Sequence, residues 1–243
     1  MKKLKWIMIA AGLFLLKRGL RYRITGEQSE WLQDIPKGEL INREKYILMK
    51  CAEKSVLHIG FVDSPYTSQK MTDGSLLHLK LKKSAKKIYG VDTDNEAVQL
   101  FKSVTGDENA SSDGWEGLSS DFVAGFDIVL AGELLEHLDF PGKLIDRFYD
   151  KMYKGQYLII SVPNITSLDA IAASLNRSES VHPDHHWYFS PFTLLKKFPA
   201  DKWQMIDFAF GLYDSLNDAE NDNPLLKHYP NLGDCLLLTV QKK

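Results

Sequence analysis

Apolar residues fall along the chain in short runs, set between polar stretches with a helical repeat. Residues 56–59 (Val-Leu-His-Ile) form a run that fits a buried strand. It breaks at once into Gly60, Phe61, Val62, Asp63, Ser64 and Pro65, which read as a loop. Residues 88–92 (Ile-Tyr-Gly-Val-Asp), 126–131 (Phe-Asp-Ile-Val-Leu-Ala) and 156–162 (Gln-Tyr-Leu-Ile-Ile-Ser-Val) repeat the pattern. A weaker strand or loop is expected near 109–115. Helical segments lie between. Asn42 can cap a helix running toward Lys54, with Glu44 in its first turn. After a polar loop, Asp73, Gly74 and Ser75 offer a cap for a helix that ends in the lysines of 82–87. Asp94 suits the cap of a helix through Val98, Leu100 and Phe101. Pro141 fits the first turn of a helix with Leu144, Ile145, Phe148 and Met152 on one face, and Gly155 ends it. Strands alternating with helices predict a parallel sheet covered on both faces. The runs at 203–210 and 235–240, with no good helix between them, predict an antiparallel pair closing the sheet. The acidic connection, from Asp214 to Asp222 and on to Gly233, reads as a long surface loop.

The first residues break the pattern. Lys2, Lys3, Lys5, Lys17, Arg18, Arg21 and Arg23 flank an apolar run at 6–16, and no acid interrupts them. The layout copies a signal peptide, but Lys17 and Arg18 stand where a small-residue cleavage site would follow. The run is also too short for a bilayer, which takes roughly 20 apolar residues. Three readings stay open: a helix packed on the domain, a helix lying on an anionic membrane surface, or an uncleaved export or anchor signal. A basic amphipathic helix fits the first two. Residues 1–27 are therefore set apart from a domain over 28–243.

Composition adds limits. The 243 residues are 44% hydrophobic and 26% charged, enough for a sizeable core. A net charge of -2 gives no global attraction to nucleic acid, and the lysines at 82–87 suit a solvated last helical turn. Cys51 and Cys235 show neither metal-ligand spacing nor a disulfide framework, which fits a reducing, cytoplasmic setting.

In open α/β sheets, ligands lie outside the carboxyl ends of the strands, where strand order reverses. That places a ligand on the loop at 60–66. Asp92, at the tip of the second strand, can accept both hydroxyls of a ribose, because Asp94 is the better helix cap. Asp113 and Trp115 can meet an adenine by hydrogen bond and stacking; a loop turn and a core tryptophan explain them equally well. No G-x-G-x-x-G follows the first strand, which argues against a nicotinamide-dependent oxidoreductase. His182, Asp184, His185 and His186 are residue types that suit zinc or iron. No Cys or Glu stands at a recognised spacing from them, and adjacent histidines do not easily meet one ion, so no metal is expected.

The segments VLHIGFVDSPYT, IYGVDTDNEAV, FDIVLAGELLEHLDFPGKLID, YLIISVPN and HPDHHWYFSPFTLLKKF together resemble a class I S-adenosylmethionine-dependent methyltransferase. The third segment is the most specific, and resembles the branch that modifies small molecules and glycans. The resemblance implies a Rossmann-like, doubly wound, mostly parallel seven-stranded sheet with an antiparallel C-terminal pair, plus the N-terminal helix. It implies S-adenosylmethionine as cofactor and a small-molecule or glycan acceptor, without nucleic acid. Gly60, Phe61 and Asp63 would line the methionine end, Asp92 would take the ribose, and Thr93 and Asp113 would flank the adenine. Ala131, Gly132 and Glu133 would lie beside the sulfonium. Glu136 and His137 would stand at the mouth, with His137 as the base for an acceptor hydroxyl, since imidazole titrates near neutral pH. The loop holding His182, His185 and Tyr188 would fold over and meet substrate. His58, counted with the cofactor set, stands where family members usually carry an acid. Val62 and Ser64 stand where they carry glycine. Asp63 is the expected replacement for the missing carboxylate. The competing reading is a silent module that serves as an interaction partner.

Overall fold

The computed structural model describes residues 33–213 and 223–243. The expected helix at 1–27 and the acidic loop at 214–222 lie outside the described residues. Eight strands form one sheet: β1 (Leu40–Asn42), β2 (Ser55–Ile59), β3 (Lys87–Val91), β4 (Ala110–Ser111), β5 (Ile128–Gly132), β6 (Tyr157–Pro163), β7 (Trp203–Leu212) and β8 (Cys235–Lys242). Their order across the sheet is β1-β7-β8-β6-β5-β2-β3-β4. All neighbours run parallel except β8, which is antiparallel to both β6 and β7. The architecture is thus the mostly parallel, Rossmann-like one expected, with one strand more. The addition is β1, which pairs with the end of β7. A three-residue edge strand is too short to leave a periodic signal.

The connections from β1 to β6 carry α1 (Arg43–Cys51), α2 (Thr67–Thr72), α3 (Leu77–Lys82), α4 (Asn95–Thr105), α5 (Ser120–Ala124) and α6 (Pro141–Lys151). The alternation of strand side chains divides the core between these helices. Leu57, Ile59, Val129, Ala131, Leu158 and Ile160 face one layer, with Ile145 and Phe148 of α6. Val56, Leu130, Ile159 and Leu237 face the other, with Tyr46, Ile47 and Cys51 of α1 and Leu81 of α3. The predicted caps form: the side chain of Asn42 accepts from Lys45 N at the start of α1, and that of Asp94 from Ala97 N at the start of α4. Two local expectations change. The polar stretch after the first strand contains the short helix α2, and no side chain of 73–75 caps α3. A single helical turn, Pro224–His228, also stands between β7 and β8. Among the described residues, no helix is long and apolar enough to cross a membrane.

His58 shares its strand face with Val56, so the sheet turns it inward against α3. Its ring stacks on His78 at 5.4 Å between centroids, and the two Nδ1 atoms lie 3.3 Å apart. Burial holds the His58 imidazole well below its usual range and lowers that of His78 to about 4. Unfolded, each ring takes up a proton below about pH 6.5, while in the native core both stay neutral. The unfolded chain then binds more protons, so stability is full above that pH and falls as pH is lowered toward about 4. Urea unfolding between about pH 7.5 and about pH 5 should show this loss, and a His58→Leu/His78→Leu double variant should lose less over the same range. An equal pH slope in the two proteins would contradict the assignment.

Candidate active site

The site is built by strand register. Ile59 of β2 pairs with Val91 of β3 on one side and with Ala131 of β5 on the other, so three strands end at one level. Gly60 N donates to Val91 O at 2.8 Å, and Gly60 takes a φ of +71°, a conformation that suits glycine. Above these ends lies a cavity of about 410 Å³. Gly60, Asp92, Thr93, Asp113, Trp115 and Leu134 are among the residues that line it. The volume and the largely apolar lining suit a nucleoside-sized ligand.

The structure sorts the expected cofactor residues. Gly60, Asp92, Thr93 and Asp113 reach the cavity; His58, Phe61, Asp63, Ala131, Gly132 and Glu133 are not in its lining. The first three of these are held away from it by packing. His58 lies on the closed face of β2, against His78. Phe61 is buried in the space that Gly90 leaves, where a Cβ would meet its ring at 2.6 Å. Asp63 pairs with Lys70 of α2, and its backbone N–H donates to Thr67 Oγ1, so its carboxylate is engaged within the protein. Phe61 and Asp63 share one cause: the loop folds down onto α2 and α4 instead of up toward the crevice. Asp92 accepts from the backbone N–H groups of Thr93 (2.7 Å) and Asp94 (3.0 Å), which fix its carboxylate at the rim. Burial raises its pKa, against those hydrogen bonds. Trp115 packs edge-on to Phe148, and its buried Nε1 has no hydrogen-bond partner among the described residues.

Beyond β5 the chain makes a tight turn. Glu133 sits at φ +53°, an uncommon conformation for a residue with a side chain. Arg43 Nε lies 3.3 Å from Glu133 Oε1 and donates to Ser161 Oγ at 3.0 Å, while Tyr213 Oη donates to Glu133 Oε2 at 2.6 Å. Burial, and then the Glu133 charge, push the Tyr213 phenol up. Gly132 leaves room here for the Arg43 guanidinium, which a Cβ would meet at 2.8 Å. Ala131 is buried at the strand end. Arg43, Ser161 and Tyr213 are absent from the sequence-based set of site residues; they come from three distant segments, and no local motif marks them.

The turn continues as a 3₁₀ helix, Leu135–His137. Leu135 anchors it in the core, which carries Glu136 to 0% exposure. Among the described residues, neither carboxyl oxygen of Glu136 has a hydrogen-bond partner. Burial, reinforced by the charge of Glu133, pushes its pKa up. The Glu136 carbonyl accepts from His186 N (2.8 Å) and Trp187 N (3.2 Å), so the 182–188 loop is fastened to this turn. His185 thereby meets His137 edge to face at 4.6 Å, and His182 lies 6.1 Å from His137. Burial and the two neighbouring imidazoles lower the pKa of His185. Tyr188 Oη donates to the Glu179 carboxylate at 3.1 Å.

The residues fit S-adenosylmethionine at its nucleoside end. Asp92 presents a carboxylate for a ribose, and the orphaned Nε1–H of Trp115 can donate to an acceptor in the cavity. Gly114 (φ +66°) brings backbone close, because a Cβ there would meet Thr93 Cγ2 at 3.0 Å. Replacing Asp92 with Asn should weaken S-adenosylhomocysteine binding by about tenfold or more, the scale of a hydrogen bond to a charged group. Asp63→Ala should change it less than about threefold. Calorimetry on the two variants checks both; the reverse ranking would contradict the placement.

A family described as a methyltransferase domain matches residues 72–200 of the chain. No curated protein matches it. Solved structures share its fold. A SAM-dependent methyltransferase from Archaeoglobus fulgidus is 19% identical, covering 82% of this chain and 90% of that one, with a TM-score of 0.50. One from Thermotoga maritima, described as a possible histamine N-methyltransferase, is 16% identical, covering 82% and 87%, with a TM-score of 0.55. One from Mesorhizobium loti is 10% identical, covering 82% and 95%, with a TM-score of 0.52. With the family match over more than half its length, and the shared fold, the chain belongs to the class I S-adenosylmethionine-dependent methyltransferases.

Proposed function

We propose that this methyltransferase acts on a hydroxyl of a small-molecule or glycan acceptor bound beside Glu136 and His137. S-adenosylmethionine supplies an electrophilic methyl group on a sulfonium. The protein must then align an acceptor oxygen and lower the cost of removing its proton. The observation that carries the reading is the convergence of Glu136, His137 and His185 next to the turn at the end of β5. An oxygen nucleophile needs such proton-handling groups, and an acid and two imidazoles provide them. A second cavity of about 210 Å³, lined by Asn164, Ser167, Tyr188 and Tyr213 among others, offers polar groups for an acceptor. Tyr213 links it to Glu133, so acceptor contacts and the turn are mechanically joined.

The test is transfer of label from S-adenosylmethionine to fractionated cell extract. Labelled methyl ethers in the small-molecule or glycan fractions are expected; label confined to amines, protein or RNA would overturn the acceptor class. A chain that fails to bind S-adenosylhomocysteine would favour the silent module, for which the filled glycine positions Val62 and Ser64 speak. Replacing His137 with Ala should lower turnover by roughly 100-fold, the ordinary scale of a proton-transfer group, and leave S-adenosylhomocysteine affinity within about twofold. Unchanged turnover in that variant would remove His137 from the reaction.

A further inference from the structure

The histidines of the 182–186 loop have no glutamate at a recognised ligand spacing in sequence, but folding brings Glu136 to them. One donor atom from each of Glu136, His137 and His185 lies within 4.8 Å of the other two. We propose that these three residues bind one divalent metal ion, and that the ion holds the acceptor oxygen. The second clause rests on the proposed methyl transfer to oxygen, with His137 then serving as a ligand and the ion, in place of a free imidazole, lowering the cost of removing the acceptor's proton; the ion site rests on the side chains alone.

Two imidazoles and one carboxylate are a donor set that suits zinc, iron or manganese. Bonds of about 2.1 Å put two donors of one ion at most about 4.2 Å apart, so small rotations of the two imidazoles would close the site. Glu136 is fully buried, and its carboxyl oxygens meet no N–H or hydroxyl donor from another described residue, only the carboxyl group of Glu133. A buried carboxylate is costly unless paired or bound to a metal, and the cation would offset that cost. The loop is also held in place. His186 N and Trp187 N donate to the Glu136 carbonyl, and Trp187 Nε1 donates to Asp139 O at 3.2 Å. The adjacent histidines diverge, so they need not share one ion: His186 Nδ1 faces Asp139 Oδ1 at 2.8 Å, while His185 turns to His137.

The experiment is a titration of the chelator-stripped full chain with Co²⁺, read by visible absorption and reversed by Zn²⁺. One saturable ion per chain is expected. Glu136→Gln, and a His137→Ala/His185→Ala double variant, should each weaken uptake more than about tenfold. His228→Ala, outside the cluster, should not. S-adenosylhomocysteine affinity, measured on the same samples, shows that each variant is folded. Absence of saturable Co²⁺ uptake by a chain that binds S-adenosylhomocysteine would overturn the site. So would uptake unchanged in the double variant; the buried Glu136 would then be a protonated acid beside Glu133. Failure to find a methylated acceptor, with cobalt uptake intact, would remove the role of the ion and leave the site standing.

Discussion

The structure turns on the position of β2 between β3 and β5. The chain leaves β2 for β3 on one side, and later crosses back to place β5 on the other. The helices and loops beyond the two strands therefore diverge from one point, and a crevice must open above the carboxyl end of β2. Register then levels Ile59, Val91 and Ala131, and the next few residues after each strand decide which groups reach the cavity. After Ile59 comes a glycine in a left-handed conformation; after Val91 comes an acid; after β5 comes the strained turn at Glu133.

That turn carries the second constraint. A residue with a side chain at positive φ persists only when its surroundings over-determine it. Here Arg43, Tyr213 and the backbone bond from Glu133 N to Ser161 O do so. The turn then drives Leu135 into the core, and Glu136 is buried as a consequence. Its carbonyl is the anchor for the histidine loop, so the same residue that loses solvent also gathers His137 and His185. Position and chemistry are coupled through one short piece of backbone.

Much of this is legible in the residues. The strand runs, the Asp94 cap and the antiparallel closing pair carry local signals of periodicity and turn chemistry, and the structure keeps them. The place of Asp92 at the strand tip is legible because it directly follows the apolar run of β3. The rest is set by tertiary packing. The face of His58 follows from strand alternation, but only the partner layer, His78 and Phe61, shows that the face is closed. Asp63 reads as a spare acid until Lys70 is seen beside it. Arg43 opens a helix and carries no motif, yet it holds the central turn. Glu136 and the histidine loop are each legible as substrate-side groups, but their contact is not. Glu136 and His185 belong to distant segments, and only the fastening of His186 N to the Glu136 carbonyl brings them together.

The most direct test of the central claim is a crystal structure of the full chain with S-adenosylhomocysteine. The nucleoside is predicted to lie across the ends of β2 and β3, with its ribose hydroxyls on Asp92 and its base beside Trp115. A nucleoside bound elsewhere, or an empty crevice with Asp92 bonded only to backbone N–H groups, would contradict the account.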